Sequence, residues 1–201
     1  MSINQNKYLN DLKIKFESYA PISDTSWKLI EDIAEIQSVK KGEILLQSGQ
    51  TAKEIHFIIK GALRAFIIDA AGNLYNKNIF LEGHFAGSKA SLLQQTPSHF
   101  TIEALEDSTL IRLNYKKYRA LIDQHNDLKN YYIAYLEKNW VIEKEQREIA
   151  LVMENATERY LHLLSSHPDI ADRIPLLHIA SHLGITPTQL SRIRKNLEKD
   201  L

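Results

Sequence analysis

Apolar residues along this chain change their spacing twice, and each spacing implies a different element. Through the middle they fall in short runs rich in β-branched and aromatic residues, at 43–47, 55–59, 62–68, 74–80, 100–104 and 108–113. Six of the seven glycines, from Gly42 to Gly87, stand between or beside these runs. Short runs of this composition with glycine turns predict an antiparallel sandwich or barrel. Asp69-Ala-Ala-Gly72-Asn73 reads as a hairpin turn. Ahead of the runs, residues 26–34 and a stretch around 5–16 read as helices. After them, 115–124 reads as a short helix, and 127 to about 153 as a long one without internal Gly or Pro. On the long helix Leu128, Tyr132, Tyr135, Asn139, Ile142, Gln146, Ile149 and Met153 recur at alternating four and three, the heptad spacing of a dimer seam. Two of these positions are polar, so the seam is imperfect. The same spacing also fits a helix lying on its own sheet.

Near Glu154 the helical pattern resets. Asn155 can cap a new helix, with Glu158 three residues on. Residues 157–166 supply that helix, His167-Pro168 stop it, and 172–175 lead into a final pair of helices. In the first of the pair, Leu176, Ile179, Ala180 and Leu183 share one face. Gly184 ends it where a left-handed residue is needed. Thr186 then caps the second, with Pro187 at its first position and Gln189 completing a capping box. Leu190, Ile193 and Leu197 form its buried stripe, and Thr188, Ser191, Arg192 and Lys195 a separate polar one. The small Ala180 lets the two helices approach closely. A short, sharply capped helix with one cationic face is built to enter a DNA major groove. Such helix-turn-helix proteins read two half-sites through two-fold symmetry, which favours a dimer through the long helix. The chain divides accordingly at 1–126, 127–154 and 155–201.

Composition narrows the classes. The hydrophobic fraction of 44% is that of a globular protein. No apolar run approaches the ~20 residues of a membrane span, and no secretory signal is visible at the start. These features indicate a cytoplasmic protein. There is no cysteine, which excludes disulfides and thiolate-held zinc or iron–sulfur sites. The 25 basic and 25 acidic residues cancel, which argues against strong nonspecific DNA affinity. Locally, Arg192, Arg194, Lys195 and Lys199 cluster, opposed there by Glu198 and Asp200. Phosphate contacts would come from that end.

Other signals are weaker. His178 and His182 are four apart, a metal-ligand spacing, but Ile179 stands where a zinc protease has Glu. No third ligand is evident, so they read as surface histidines near DNA phosphate, with no metal. Residues 83–89 are too short for a phosphate loop, and Ser88 precedes Lys89 wrongly for one. No Gly-x-Ser-x-Gly elbow exists for acyl chemistry. With no complete catalytic set and no cofactor motif, the chain does not read as an enzyme. A different class is also compatible: a small-molecule sensor whose helical C-terminus recruits a protein partner rather than DNA.

The succession of glycine-punctuated strands, long helix and helix-turn-helix resembles the Crp/Fnr family of bacterial transcription regulators. The resemblance covers nearly the whole chain. It is carried by Lys41-Gly-Glu-Ile-Leu-Leu46, Ile55-His-Phe-Ile-Ile-Lys-Gly61, Ala104-Leu-Glu-Asp-Ser108 and Ile185-Thr-Pro-Thr-Gln-Leu-Ser-Arg-Ile-Arg-Lys195. It implies an α+β fold: an N-terminal antiparallel β-roll like a cyclic-nucleotide-binding domain, a long dimerisation helix, and a small helix-turn-helix domain. It also implies a homodimer, double-stranded DNA as partner, and a small effector in the roll. By resemblance Thr188, Ser191, Arg192 and Lys195 face DNA. Arg192 is the best base reader, because a guanidinium can bond guanine O6 and N7 together. Thr188, Gln189 and Lys195 suit phosphate or single base edges, with Gln189 also occupied by its cap.

Two departures alter the expectation. Cyclic-nucleotide-binding members carry a Gly-Glu pair and, about ten residues later, an Arg followed by Ser or Thr. Here Gly87 is followed by Ser88, and Ser98-His99 stands where the Arg pair belongs. A phosphate thereby loses a charged, bidentate partner. Tight cAMP binding is not expected. Two readings stand equally: Gly87, Ser88, Lys89, Ser98 and His99 line a remodelled pocket for an unidentified effector, or the roll holds no ligand at all. The second departure is the β-hairpin wing that family members carry after the recognition helix. The four residues after Leu197 are too few for one, so DNA affinity is expected to be lower and more salt-sensitive.

Overall fold

The computed structural model describes residues 3–198. In chain order they form α1 (Ile3–Glu17), α2 (Asp24–Asp32), β1 (Ala34–Val39), β2 (Ile44–Leu46), β3 (Glu54–Lys60), β4 (Leu63–Ile68), β5 (Leu74–Phe80), β6 (Phe85–Ala86), α3 (Lys89–Gln94), β7 (Thr101–Ala104) and β8 (Ser108–Asn114). Helices follow: α4 (Tyr115–Gln124), α5 (Asn126–Leu136), a π-helical stretch (Glu137–Ile142), α6 (Glu143–Met153), α7 (Ala156–Ser166), α8 (Ile170–Arg173), α9 (Leu176–Leu183) and α10 (Pro187–Leu197). The strands make two antiparallel sheets, ordered β1-β8-β3-β6 and β2-β7-β4-β5. This is the mixed α+β architecture expected from the sequence.

The β4–β5 hairpin shows how local chemistry sets the strands. Asp69 Oδ1 accepts from the amides of Ala71 and Asn73, both at 2.9 Å, and Gly72 takes φ +85°. An Asp that bonds its own turn and a glycine with positive φ close the chain on itself. Gly61 between β3 and β4 is more constrained. Its φ is +103°, and a Cβ there would overlap the Ser108 side chain.

Two strands depart from the sequence reading. Helix α2 stops at Asp32, and Ala34, expected in that helix, opens β1. This strand pairs with β8 alone, an edge position where Glu35, Gln37 and Ser38 are tolerated. Its polar residues therefore gave no strand signal. The two-residue β6 is too short to leave one.

Two apolar cores result. The larger joins the roll to α1 and α5: Phe16 stacks on Tyr131 with ring centres 4.1 Å apart, and Leu12, Leu128 and Ile58 are fully buried. The heptad positions of the long helix do not form one continuous seam. Leu128, Tyr131 and Tyr135 pack onto the chain's own roll, and apart from Ile133 the uncovered large apolar side chains of the long helix lie in its later part. Ile142, Ile149, Val152 and Met153 are more than half exposed. Between the two parts lies the π stretch, where Asn139 Nδ2 donates to the Tyr135 carbonyl (2.8 Å) and to Tyr19 Oη (3.1 Å). A side chain inserted into the helical ladder in this way opens it locally. The smaller core joins Ala62, Leu81 and Leu105 of the roll to Tyr160, Ile170, Ile174, Ile179, Ala180, Leu183 and Leu190. Through it the C-terminal helices rest on the roll.

Candidate nucleic-acid interface and effector pocket

The last two helices form the expected tight pair. Gly184 has φ +71°; its amide reaches the Ser181 carbonyl (3.3 Å), and the Ile185 amide reaches that of Ala180 (3.0 Å). These are the two bonds that satisfy the open carbonyls at a helix C-terminus. Thr186 Oγ1 accepts from the Gln189 amide (3.2 Å), while Gln189 Oε1 accepts from the Thr186 amide (2.9 Å), the reciprocal capping box. Asn155 and Glu158 make the same box at the start of α7.

On α10 the two predicted stripes separate. Leu190 is fully buried and Ile193 partly so. Thr188, Gln189, Ser191, Arg192 and Lys195 are all exposed. Among the described residues, neither Arg192 nor Lys195 has an ion-pair partner. Lys199 and Asp200 lie outside the described residues. His178 and His182 depart from expectation. They face inward, His178 Nδ1 lying 3.0 Å from Arg64 of β4 and His182 Nδ1 3.5 Å from Arg147 of α6. Neither stands on the stripe that carries Arg192.

The cassette residues part company. Ser88 and Ser98 are buried, 2% and 3% exposed, with their hydroxyl oxygens 3.0 Å apart. Ser98 Oγ also accepts from the Phe100 amide (3.3 Å) and lies 2.9 Å from the Phe100 carbonyl. Gly87 packs against the backbone of Glu54 and Ile55. Lys89 turns elsewhere: its amino group lies 5.3 Å from the Tyr135 ring centre and 5.9 Å from that of Phe85. Burial without a carboxylate lowers its pKa to about 7. His99 is exposed. The structure thus brings Ser88 and Ser98 together and separates Lys89 and His99 from them.

Residues 36–125 match the family model of the cyclic nucleotide-binding domain. Among solved structures, the chain is similar to FixK2 of Bradyrhizobium japonicum, with 18% identity over 84% of this chain and 86% of that one, at a TM-score of 0.70. It is similar to the Thermus thermophilus catabolite activator protein at 19% identity, covering 90% and 86%, with a TM-score of 0.54. The c-di-GMP responsive global regulator CLP of Xanthomonas campestris gives 12%, 89% and 93%, with a TM-score of 0.66. The chain has the Crp/Fnr fold. A comparison with curated protein sequences gives no match.

Within this Crp/Fnr fold one hollow without a signal in the sequence joins the roll to the long helix. A cavity of about 570 Å³ lies between β5 and the long helix, lined by Lys77, Asn78, Asn139, Trp140, Lys144 and Arg147 among others. Burial, with Arg147 and Lys144 nearby, lowers the Lys77 pKa, and burial lowers that of Arg147. Glu143 and Glu148 line the same cavity, and Lys144 lies 3.4 Å from Glu148, so the three cations stand among carboxylates. Lys77 and Arg147 are 70 residues apart in sequence, and no local pattern could have joined them. Among the described residues no helix is long and apolar enough to cross a membrane.

Proposed function

We propose that this chain is a homodimeric, sequence-specific DNA-binding transcription regulator acting in the cytoplasm. One observation carries the reading. A helix closed at its N-terminus by a reciprocal capping box presents Thr188, Ser191, Arg192 and Lys195 on one exposed stripe while Leu190 anchors it from behind. Arg192 reads a base edge, Lys195 and Thr188 contact phosphate or single edges, and Gln189 contributes mainly by holding the cap. The uncovered apolar side chains of Ile142, Ile149, Val152 and Met153 pair with their copies in a second chain and set the half-site spacing. A small effector in the roll gates this arrangement, with Ser88 and Ser98, beside Gly87, at the centre of the remodelled cassette and Lys89 and His99 directed away from it. That effector is not cAMP, because the paired hydroxyls of Ser88 and Ser98 offer a phosphate no cation.

Fluorescence anisotropy with duplex DNA tests the interface. Arg192→Ala is expected to cost about 1–3 kcal/mol of specific affinity and to relax selectivity at one base position. Unchanged affinity and selectivity in that variant would remove α10 as the reading helix.

A further inference from the structure

The C-terminal helices are fastened to the β-roll by polar bonds as well as by the smaller core. On β5, the Asn76 amide donates to Ser181 Oγ (2.7 Å), and the Asn76 side chain donates to the His178 carbonyl (3.1 Å). On β4, Arg64 is only 7% exposed. Its Nε and Nη2 donate to Glu103 at 2.9 and 2.6 Å, while Nη1 lies 3.0 Å from His178 Nδ1. A guanidinium carries donors only and stays charged. His178 Nδ1 is therefore the acceptor, and the ring is neutral with its proton on Nε2. Protonating Nδ1 would set two cationic donors against each other at that distance.

We propose that His178 is a proton-operated latch: its neutral ring holds the helix-turn-helix on the β-roll, and its protonated ring releases it. The charged groups around it are Arg64 from β4, Glu103 from β7 and Lys41 from the turn before β2, with His182 one turn further along α9. Glu103 alone would favour an imidazolium, and it is already engaged by Arg64. Burial first, and Arg64 second, hold the ring below its ordinary range in the docked form. In the open form the ring titrates near an unperturbed value of about 6.5. Docking is thus fully supported above about pH 6.5 and weakens as pH falls through that value toward the docked pKa. One proton limits the change to about tenfold per pH unit.

The latch bears on the recognition helix directly. Asn73, Leu74 and Tyr75 of the β4–β5 hairpin share a cavity of about 480 Å³ with Thr186, Pro187 and Gln189. The hairpin therefore flanks the first turn of α10, the part of a recognition helix that meets base edges. That consequence rests on the DNA-binding reading; the latch itself does not.

The absence of native cysteine lets Ala70→Cys and Asn196→Cys carry the only two spin labels in the full chain. An excess of unlabelled chain confines the measured distances to one molecule. A single short distance is expected at pH 8, with a longer population growing several-fold by about pH 5.5. In His178→Asn, whose Oδ1 accepts from Arg64 without titrating, the short distance should persist at the acid end. An unchanged distribution in the parent, or equal growth in both proteins, overturns the latch. Ring nitrogen shifts of His178 in the unsubstituted protein give a second reading: proton on Nε2, and titration below about 6.5. Titration at or above that value also overturns it. DNA anisotropy on the same samples separates the two ideas. Opening without DNA affinity removes the regulator and leaves the latch; DNA affinity with an invariant distance does the reverse.

Discussion

At Ser88 and Ser98 two hydroxyl oxygens stand 3.0 Å apart in a buried setting. They satisfy each other and leave no charge to meet an anion. Calorimetry with cAMP and cGMP is expected to show no binding at micromolar concentration. Micromolar or tighter binding of either would contradict this assignment. Another residue has a purely structural task. Gly61 combines a left-handed backbone with close approach to Ser108, so Gly61→Val forces both backbone strain and overlap. A loss of about 2 kcal/mol or more is expected in thermal or denaturant unfolding. An unaltered midpoint would show that the β3–β4 turn adapts.

The elements were legible in the sequence where one surface decided their pattern. Helices α9 and α10 were readable because Gly184, Thr186, Pro187 and Gln189 each occupy a position with its own backbone requirement. The long helix was read only in part. Its heptad spacing merges two surfaces, one packed against the roll through Leu128 and Tyr135 and one open through Ile142, Ile149 and Met153. A single spacing cannot say which partner each half meets. Replacing Ile149 and Val152 together by Asp tests the open half. Both side chains are exposed, 54% and 83%, so circular dichroism should be unchanged. Native mass spectrometry should shift from dimer to monomer, because buried carboxylates in the seam would be unpaired. A dimer that survives would place the contact elsewhere. Edge strand β1 was illegible because Glu35, Gln37 and Ser38 break its apolar pattern, and β6, though both its residues are buried, because two residues are too few to leave one. The Arg64–His178 contact spans 114 residues and could come only from the assembled fold.

At the scale of the molecule, the β-roll and the C-terminal helices share a continuous apolar core and a set of directed bonds. Arg173 adds to them, donating to Glu82 at 2.7 Å and Glu106 at 2.6 Å. An effector acting on the roll therefore has a physical route to the setting of α10, and protons reach the same seam at His178. Two copies joined along the long helix would hold two such helices at a fixed separation. Selection of bound duplexes from a random-sequence pool examines that arrangement most directly. The expected outcome is one enriched sequence with two inverted half-sites about one helical turn apart, roughly 10 base pairs centre to centre. Its affinity should fall steeply as salt rises. A pool that emerges without enrichment, or enriched in a single unrepeated site, would contradict the paired-helix arrangement.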